Sequence, residues 1–114
     1  MCQLVMPKPS DLLQGTLDLL ILSTLRAGTL HGWGISRRIR DRSGDVVLVT
    51  TGSLYPALHR LESKRLIRAE WRISDNNRRA KYYQLTARGE RVLSDELAWW
   101  NRFVIGVSGV IAPA

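Results

Sequence analysis

Between residues 12 and 25 the apolar positions Leu13, Leu17, Leu20, Ile21 and Leu25 recur at helical spacing, and Leu19 and Leu22 add a second apolar side. A helix apolar on two sides predicts burial on two sides, by its own core and by a further surface. Gly28 stops it. Residues 31–42 predict a second helix, with Ile35 and Ile39 inward, Arg37, Arg38, Arg40 and Arg42 outward, and Gly44 as its C-cap. The run from Val46 to Val49 predicts a small strand. Thr50, Thr51 and Ser53 offer N-caps for a third helix with Leu54, Leu58 and Leu61 at i, i+4 and i+7, and Pro56 is tolerated in or near its first turn.

Past the third helix the period changes to two. Ile67, Ala69, Trp71 and Ile73 alternate with Arg68, Glu70 and Arg72, which predicts a strand with its apolar set on one side. Residues 74–79 form a polar tip and residues 81–85 the returning strand. Thr86 then caps a last helix with Glu90 in its early turns. The order helix, helix, short strand, helix, hairpin, helix predicts a mainly α fold with a small β-hairpin. That is a winged helix-turn-helix followed by a C-terminal dimerisation helix. The expected division is a flexible arm over residues 1–11, a winged-helix DNA-binding domain over 12–86, and the dimerisation helix over 87–114.

Along the last helix Leu93, Leu97, Trp100, Val104, Val107 and Ile111 are spaced 4, 3, 4, 3 and 4, a heptad seam. Such a stripe either docks on the domain's own core or pairs with another helix. Trp99, Phe103 and Val110 lie off the seam and add more apolar surface than one small domain covers, so a homodimer is expected. Its interface would use Leu19, Leu22, Leu93, Leu97, Trp100, Val104 and Val107. Gly106 and Gly109 each cost a helix about 1 kcal/mol, so fraying is expected beyond about Val107. Trp99 and Trp100 are either core packing or the lining of a site for a small aromatic effector.

Charge changes the picture from architecture to partner. Seventeen Lys+Arg against ten Asp+Glu leave the 114-residue chain at +7, which points to a polyanion. In the third helix Ser53 and Tyr55 are candidates for phosphates, with Thr51 beside them, while His59 and Arg60 are candidates for base edges and Lys64 lies further on. The hairpin carries five cations against two acids, and Arg78, Arg79 and Lys81 are placed to reach a groove or its flanking phosphates. Duplex DNA is therefore the expected partner. A winged-helix module that binds protein or RNA is the alternative.

Other classes find little footing. Cys2 is the only cysteine, so an intrachain disulfide is ruled out, and no Gly-rich phosphate loop, Ser-His-Asp set or metal-ligand cluster is present. His31 is expected to cap or pack at the start of the second helix. Neither an enzyme, a cofactor nor a metal is expected. No apolar run reaches the length of a membrane span and the N-terminus makes a poor secretory signal, so the expected location is the cytoplasm.

Four ordered blocks carry a family resemblance over about residues 12–100. They are Leu-Leu-Gln-Gly-Thr-Leu-Asp-Leu-Leu-Ile-Leu (12–22), Leu-His-Gly-Trp-Gly-Ile (30–35), Gly-Ser-Leu-Tyr-Pro-Ala-Leu-His-Arg-Leu-Glu (52–62) and Asn-Asn-Arg-Arg-Ala-Lys-Tyr-Tyr-Gln-Leu-Thr (76–86). Together they resemble the PadR family of bacterial transcriptional regulators. The resemblance implies a dimeric winged-helix repressor with Ser53, Tyr55 and the wing residues 78–81 at the DNA, in many cases responsive to phenolic or drug-like molecules. The chain departs from longer members, which add a larger C-terminal helical domain.

Overall fold

A computed structural model describes residues 9–113, with side chains from residue 15 onward. The expectations for residues 1–8 of the arm and for the side chain of Leu13 lie outside the described residues. The elements are α1 (Pro9–Arg26), β1 (Leu30–His31), α2 (Gly32–Arg42), α3 (Thr51–Ser63), β2 (Ile67–Ile73), β3 (Arg79–Leu85) and α4 (Ala87–Ile111). The three strands form an antiparallel sheet in the order β1-β3-β2. Residues 9–11, expected in the arm, belong to α1 instead.

The core is a single cluster drawn from every helix and the base of the hairpin. It contains Ile21 and Leu25 of α1, Ile35 and Ile39 of α2, Leu54, Ala57, Leu58 and Leu61 of α3, Ile67 and Tyr83 of the sheet, and Leu93 of α4. Three residues expected at a dimer interface are in it as well: Leu19, Leu22 and Leu93 are 7%, 2% and 0% exposed. The second apolar side of α1 is therefore packed into the chain's own core. Leu97 and Trp100 are half-buried against the same core, whereas Val104 and Val107 stay exposed on the distal part of α4.

Local chemistry explains where the helices begin and end. His31 caps α2, its Nδ1 accepting from the Gly34 N–H at 2.9 Å. Thr50 caps α3 and Thr86 caps α4, each hydroxyl oxygen accepting from the N–H three residues on. Helices α2 and α3 close in the same way. After α2, the Gly44 and Asp45 N–H groups donate to the Asp41 and Arg40 carbonyls; after α3, those of Arg65 and Leu66 donate to the Glu62 and Leu61 carbonyls. The left-handed position is Gly44 (φ 61°) in one and Arg65 (φ 60°) in the other. The C-cap of α2 is thus Ser43, with Gly44 one place beyond it. Pro56 sits in the second turn of α3 rather than the first, so it offers no N–H to the Gly52 carbonyl.

The short strand is not where the β-branched run predicts it. Residues 46–49 form an extended loop whose backbone is held by side chains, with Ser43 Oγ accepting from the Val47 N–H and Ser36 Oγ donating to the Val49 carbonyl. The third strand is Leu30–His31, paired with Tyr83 and Tyr82 of β3. At the far end, α4 stays helical through Ile111, past the point where Gly106 and Gly109 predicted fraying.

The N-terminus of α4 is clamped to the α3–β2 connection. The Leu66 carbonyl accepts from the Thr86 backbone N–H at 3.1 Å, and the Thr86 hydroxyl proton is shared between the Arg65 carbonyl at 2.7 Å and the Leu66 carbonyl at 3.0 Å. Gly89, in the first turn of α4, lies so close to that carbonyl that a Cβ there would fall 2.9 Å from the carbonyl carbon and 2.9 Å from Leu85 Cδ1.

Candidate nucleic-acid interface

The hairpin starts in the core and ends in solvent. Ile67 pairs with Leu85 and Ala69 with Tyr83 over the helices, but Trp71 and Ile73, further out on the same side, are 58% and 66% exposed. Alternation correctly put them on one face; β2 simply outruns the helical layer beneath it. Their cross-strand partners are Lys81 and Arg79. At the tip, the Asn77 N–H donates to the Ser74 carbonyl and Asn77 takes φ 59°, which makes a compact turn with a left-handed residue before the strand resumes.

Between this wing and the starts of α2 and α3 lies an open cleft of about 680 Å³. Trp71, Arg78, Arg79 and Lys81 line the wing side; His31, Gly32, Trp33 and Tyr55 line the helix side. Burial pushes the Tyr83 phenol up, and the Lys81 ammonium lies 5.7 Å from its ring centroid. A Cβ at Gly32 would sit 2.7 Å from the Tyr55 Oη, so the ring in this position rests against the bare glycine at the start of α2.

Of the nine residues expected at DNA, four come together here: Tyr55, Arg78, Arg79 and Lys81. Lys81 Nζ also pairs with Glu62 at 3.2 Å, which ties the wing to α3. Thr51, Ser53 and His59 are exposed on α3. Two are placed elsewhere. Arg60 turns inward to Asp18 of α1 at 2.8 Å, the partners' side chains only 30% and 19% exposed, so it does not present itself to base edges. Lys64 follows the last residue of α3, roughly 20 Å along the helix from Thr51, and its charge acts on Asp18. Desolvation raises the Asp18 carboxyl above its usual range despite the Arg60 guanidinium beside it.

Sequence reasoning passed over His31, Gly32, Trp33 and Trp71 as part of this surface. The signal for the first three is the Leu-His-Gly-Trp-Gly-Ile block, which carries a helix start and part of the family resemblance but does not by itself point to this surface.

Two further facts bound the chemistry. Among the described residues, no three or more His, Cys, Asp and Glu side chains group so as to hold a metal ion, and no helix is long and apolar enough to cross a membrane.

A helix-turn-helix whose third helix stands beside a basic two-stranded wing defines a winged-helix DNA-binding regulator of transcription. The chain belongs to the PadR-like family of transcriptional regulators, whose pattern it matches over residues 21–95. It is similar to an uncharacterized protein X of Lysinibacillus sphaericus, 34% identical over 92 residues, which cover 80% of this chain and 84% of that one. It also matches a 37.1 kDa protein in a Streptomyces fradiae transposon, 37% identical over 79 residues, but spans only 21% of that protein's length. Among solved structures, a PadR family regulator from Eggerthella lenta has TM-score 0.76 at 31% identity, covering 92% of this chain and 89% of that chain. A transcriptional regulator from Clostridium thermocellum has TM-score 0.78 at 26% identity, covering 90% and 99%.

Proposed function

We propose that the protein is a repressor that binds an inverted-repeat operator as a homodimer. The observation that carries this reading is the cleft. It gathers Tyr55 of α3 with Arg78, Arg79 and Lys81 of the wing on one face, as a domain gripping a duplex requires. Thr51, Ser53 and His59 stand exposed on the same helix for phosphate and base contacts. Residues 12–86 act as the reading head and residues 87–114 as the dimerisation helix. Support for the dimer comes from distal α4, where Val104, Ile105, Val107, Val110 and Ile111 are all exposed to water. With Leu19, Leu22 and Leu93 committed to the core, the seam of this dimer runs through Leu97, Trp100, Val104 and Val107.

Two reading heads joined in this way meet half-sites roughly one helical turn (about 34 Å) apart. Selection of bound duplexes from a random library should return an inverted repeat, and affinity should fall steeply with salt. Recovery of single half-sites, from protein that sediments as a monomer, would refute the dimer. A preference for single-stranded nucleic acid or RNA would refute the duplex reading.

The aromatic effector belongs to the same helix. Trp99 stacks on Phe103 with ring centroids 4.9 Å apart, and Trp100 lies beside them. A planar aromatic ligand bound at Trp99 and Trp100 would act on the dimer seam and release the operator. Ligand-dependent quenching that vanishes in Trp99→Ala and Trp100→Ala tests it.

A further inference from the structure

Two tryptophans stand exposed on opposite walls of the cleft, Trp33 at the start of α2 and Trp71 on β2. Neither is needed by the core. Each carries a guanidinium on its face: Arg37 lies 5.0 Å from the Trp33 ring centroid and Arg79 lies 4.9 Å from that of Trp71. Stacking on an indole fixes the plane of a guanidinium and restricts its rotamers while leaving its N–H edge free. A flexible arginine is thereby preorganised for a two-point grip on a phosphate. Arg79 is already part of the proposed interface. Arg37 has no comparable duty in the fold; its ionic neighbour is Asp41, one turn along α2 at 3.9 Å, with both side chains well exposed.

We propose that the Arg37–Trp33 stack is a second phosphate-binding element, which extends the grip of the Arg79–Trp71 stack on duplex DNA from the cleft to the hollow beyond Trp33. This rests on the reading of the cleft as the DNA interface. The occupant follows from charge: the lining offers Arg78, Arg79 and Lys81 against Asp75, and Arg37 adds a cation beside Trp33. A polyanion with phosphates on a regular spacing suits two guanidiniums, Arg79 inside the cleft and Arg37 in the neighbouring hollow that shares Trp33 with it. Trp33 is a positioning residue in this arrangement, because it acts through Arg37.

The test uses the full chain and a labelled random-sequence duplex of about three helical turns, titrated from about 50 to 200 mM salt. Arg37→Ala should weaken binding roughly tenfold and lower the slope of log K against log salt by about 0.9 for each phosphate that is no longer neutralised. Trp33→Ala, which keeps every charge, should weaken binding by a similar factor, and Trp33→Phe should restore most of it. The double variant should be no weaker than Arg37→Ala alone. Unchanged affinity and slope in Arg37→Ala, or full additivity in the double variant, would overturn the proposal. Thermal melts matching the wild type verify that the variants fold. The combined Arg78→Ala and Arg79→Ala variant separates the two readings. If it loses affinity while Arg37→Ala does not, only the second element falls; if the wild type binds no duplex, the cleft reading falls with it.

Discussion

Replacing Gly89 by alanine sets two physical effects against each other. Gly89 is the third residue of α4, and on helix propensity alone alanine there should stabilise the protein by up to about 1 kcal/mol. The structure argues for the opposite sign. The new Cβ would lie 2.9 Å from the Leu66 carbonyl carbon and from Leu85 Cδ1, and closer still to the Leu66 oxygen. Ordinary van der Waals contact begins near 3.4 Å. Leu85 Cδ1 can rotate away, but the Leu66 carbonyl is backbone and cannot. It also accepts from the Thr86 N–H and shares the Thr86 hydroxyl proton, the two hydrogen bonds that seat α4. Moving α4 outward strains both bonds, at about 1 kcal/mol each, and adds an overpacking cost of about 1–3 kcal/mol. After the propensity gain is subtracted, Gly89→Ala should destabilise the fold by about 2–4 kcal/mol. Urea unfolding at fixed protein concentration measures this, since the melt of any oligomer depends on concentration. A variant as stable as the wild type, or more so, would show that the α4 seat yields freely and would refute the reasoning.

Other contacts make predictions of their own. Arg65 occupies the left-handed position that Gly44 fills after α2, so Arg65→Gly should stabilise the protein by about 0.5–1 kcal/mol, read as a raised urea midpoint. Burial raises the Asp18 carboxyl in the folded state above its unfolded value of 3.8, so the native state binds the proton more tightly. Wild-type stability should therefore rise relative to Asp18→Asn as pH falls from neutral through the folded pKa towards 3.8, and a fall over that window would mean that the Arg60 pair outweighs desolvation. Gly32→Ala should displace the Tyr55 hydroxyl and weaken duplex binding about fivefold, roughly one hydrogen bond. The same change in a Tyr55→Phe background should cost much less, and an equal cost in both would show that Gly32 does not act through that hydroxyl.

What sequence reasoning could and could not see divides by the range of the interactions. Helix α3 was legible because Leu54, Leu58 and Leu61 repeat its period and Thr50 caps it within three residues. The α4 cap at Thr86 was legible for the same reason. Residues 46–49 carry a β-branched run, yet a strand needs an open partner edge, and their backbone is occupied by Ser36 and Ser43. Leu30–His31 has no strand signature of its own and becomes one only because the free edge of β3 lies beside it.

Arg60 shows how a long-range pairing can still be read from the chain. Its position lies at the border of the buried face of α3, where a long side chain can turn either outward to a ligand or inward across the core. The deciding residue is on another helix. Asp18 shares the inward face of α1 with Ile21, Leu22 and Leu25, at i+3, i+4 and i+7. A carboxylate in such a row calls for a cation from a neighbouring element, because burying it unpaired costs more than any surface contact returns. The cation at the border of the facing helix is Arg60, and its Nε, buried without a hydrogen-bond partner, marks how far the side chain is drawn in. An acidic residue inside an apolar stripe is thus a reason to withdraw one basic residue from the set of DNA contacts. The α3 candidates whose helix face carries no such claim are Thr51, Ser53, Tyr55 and His59, all of them exposed.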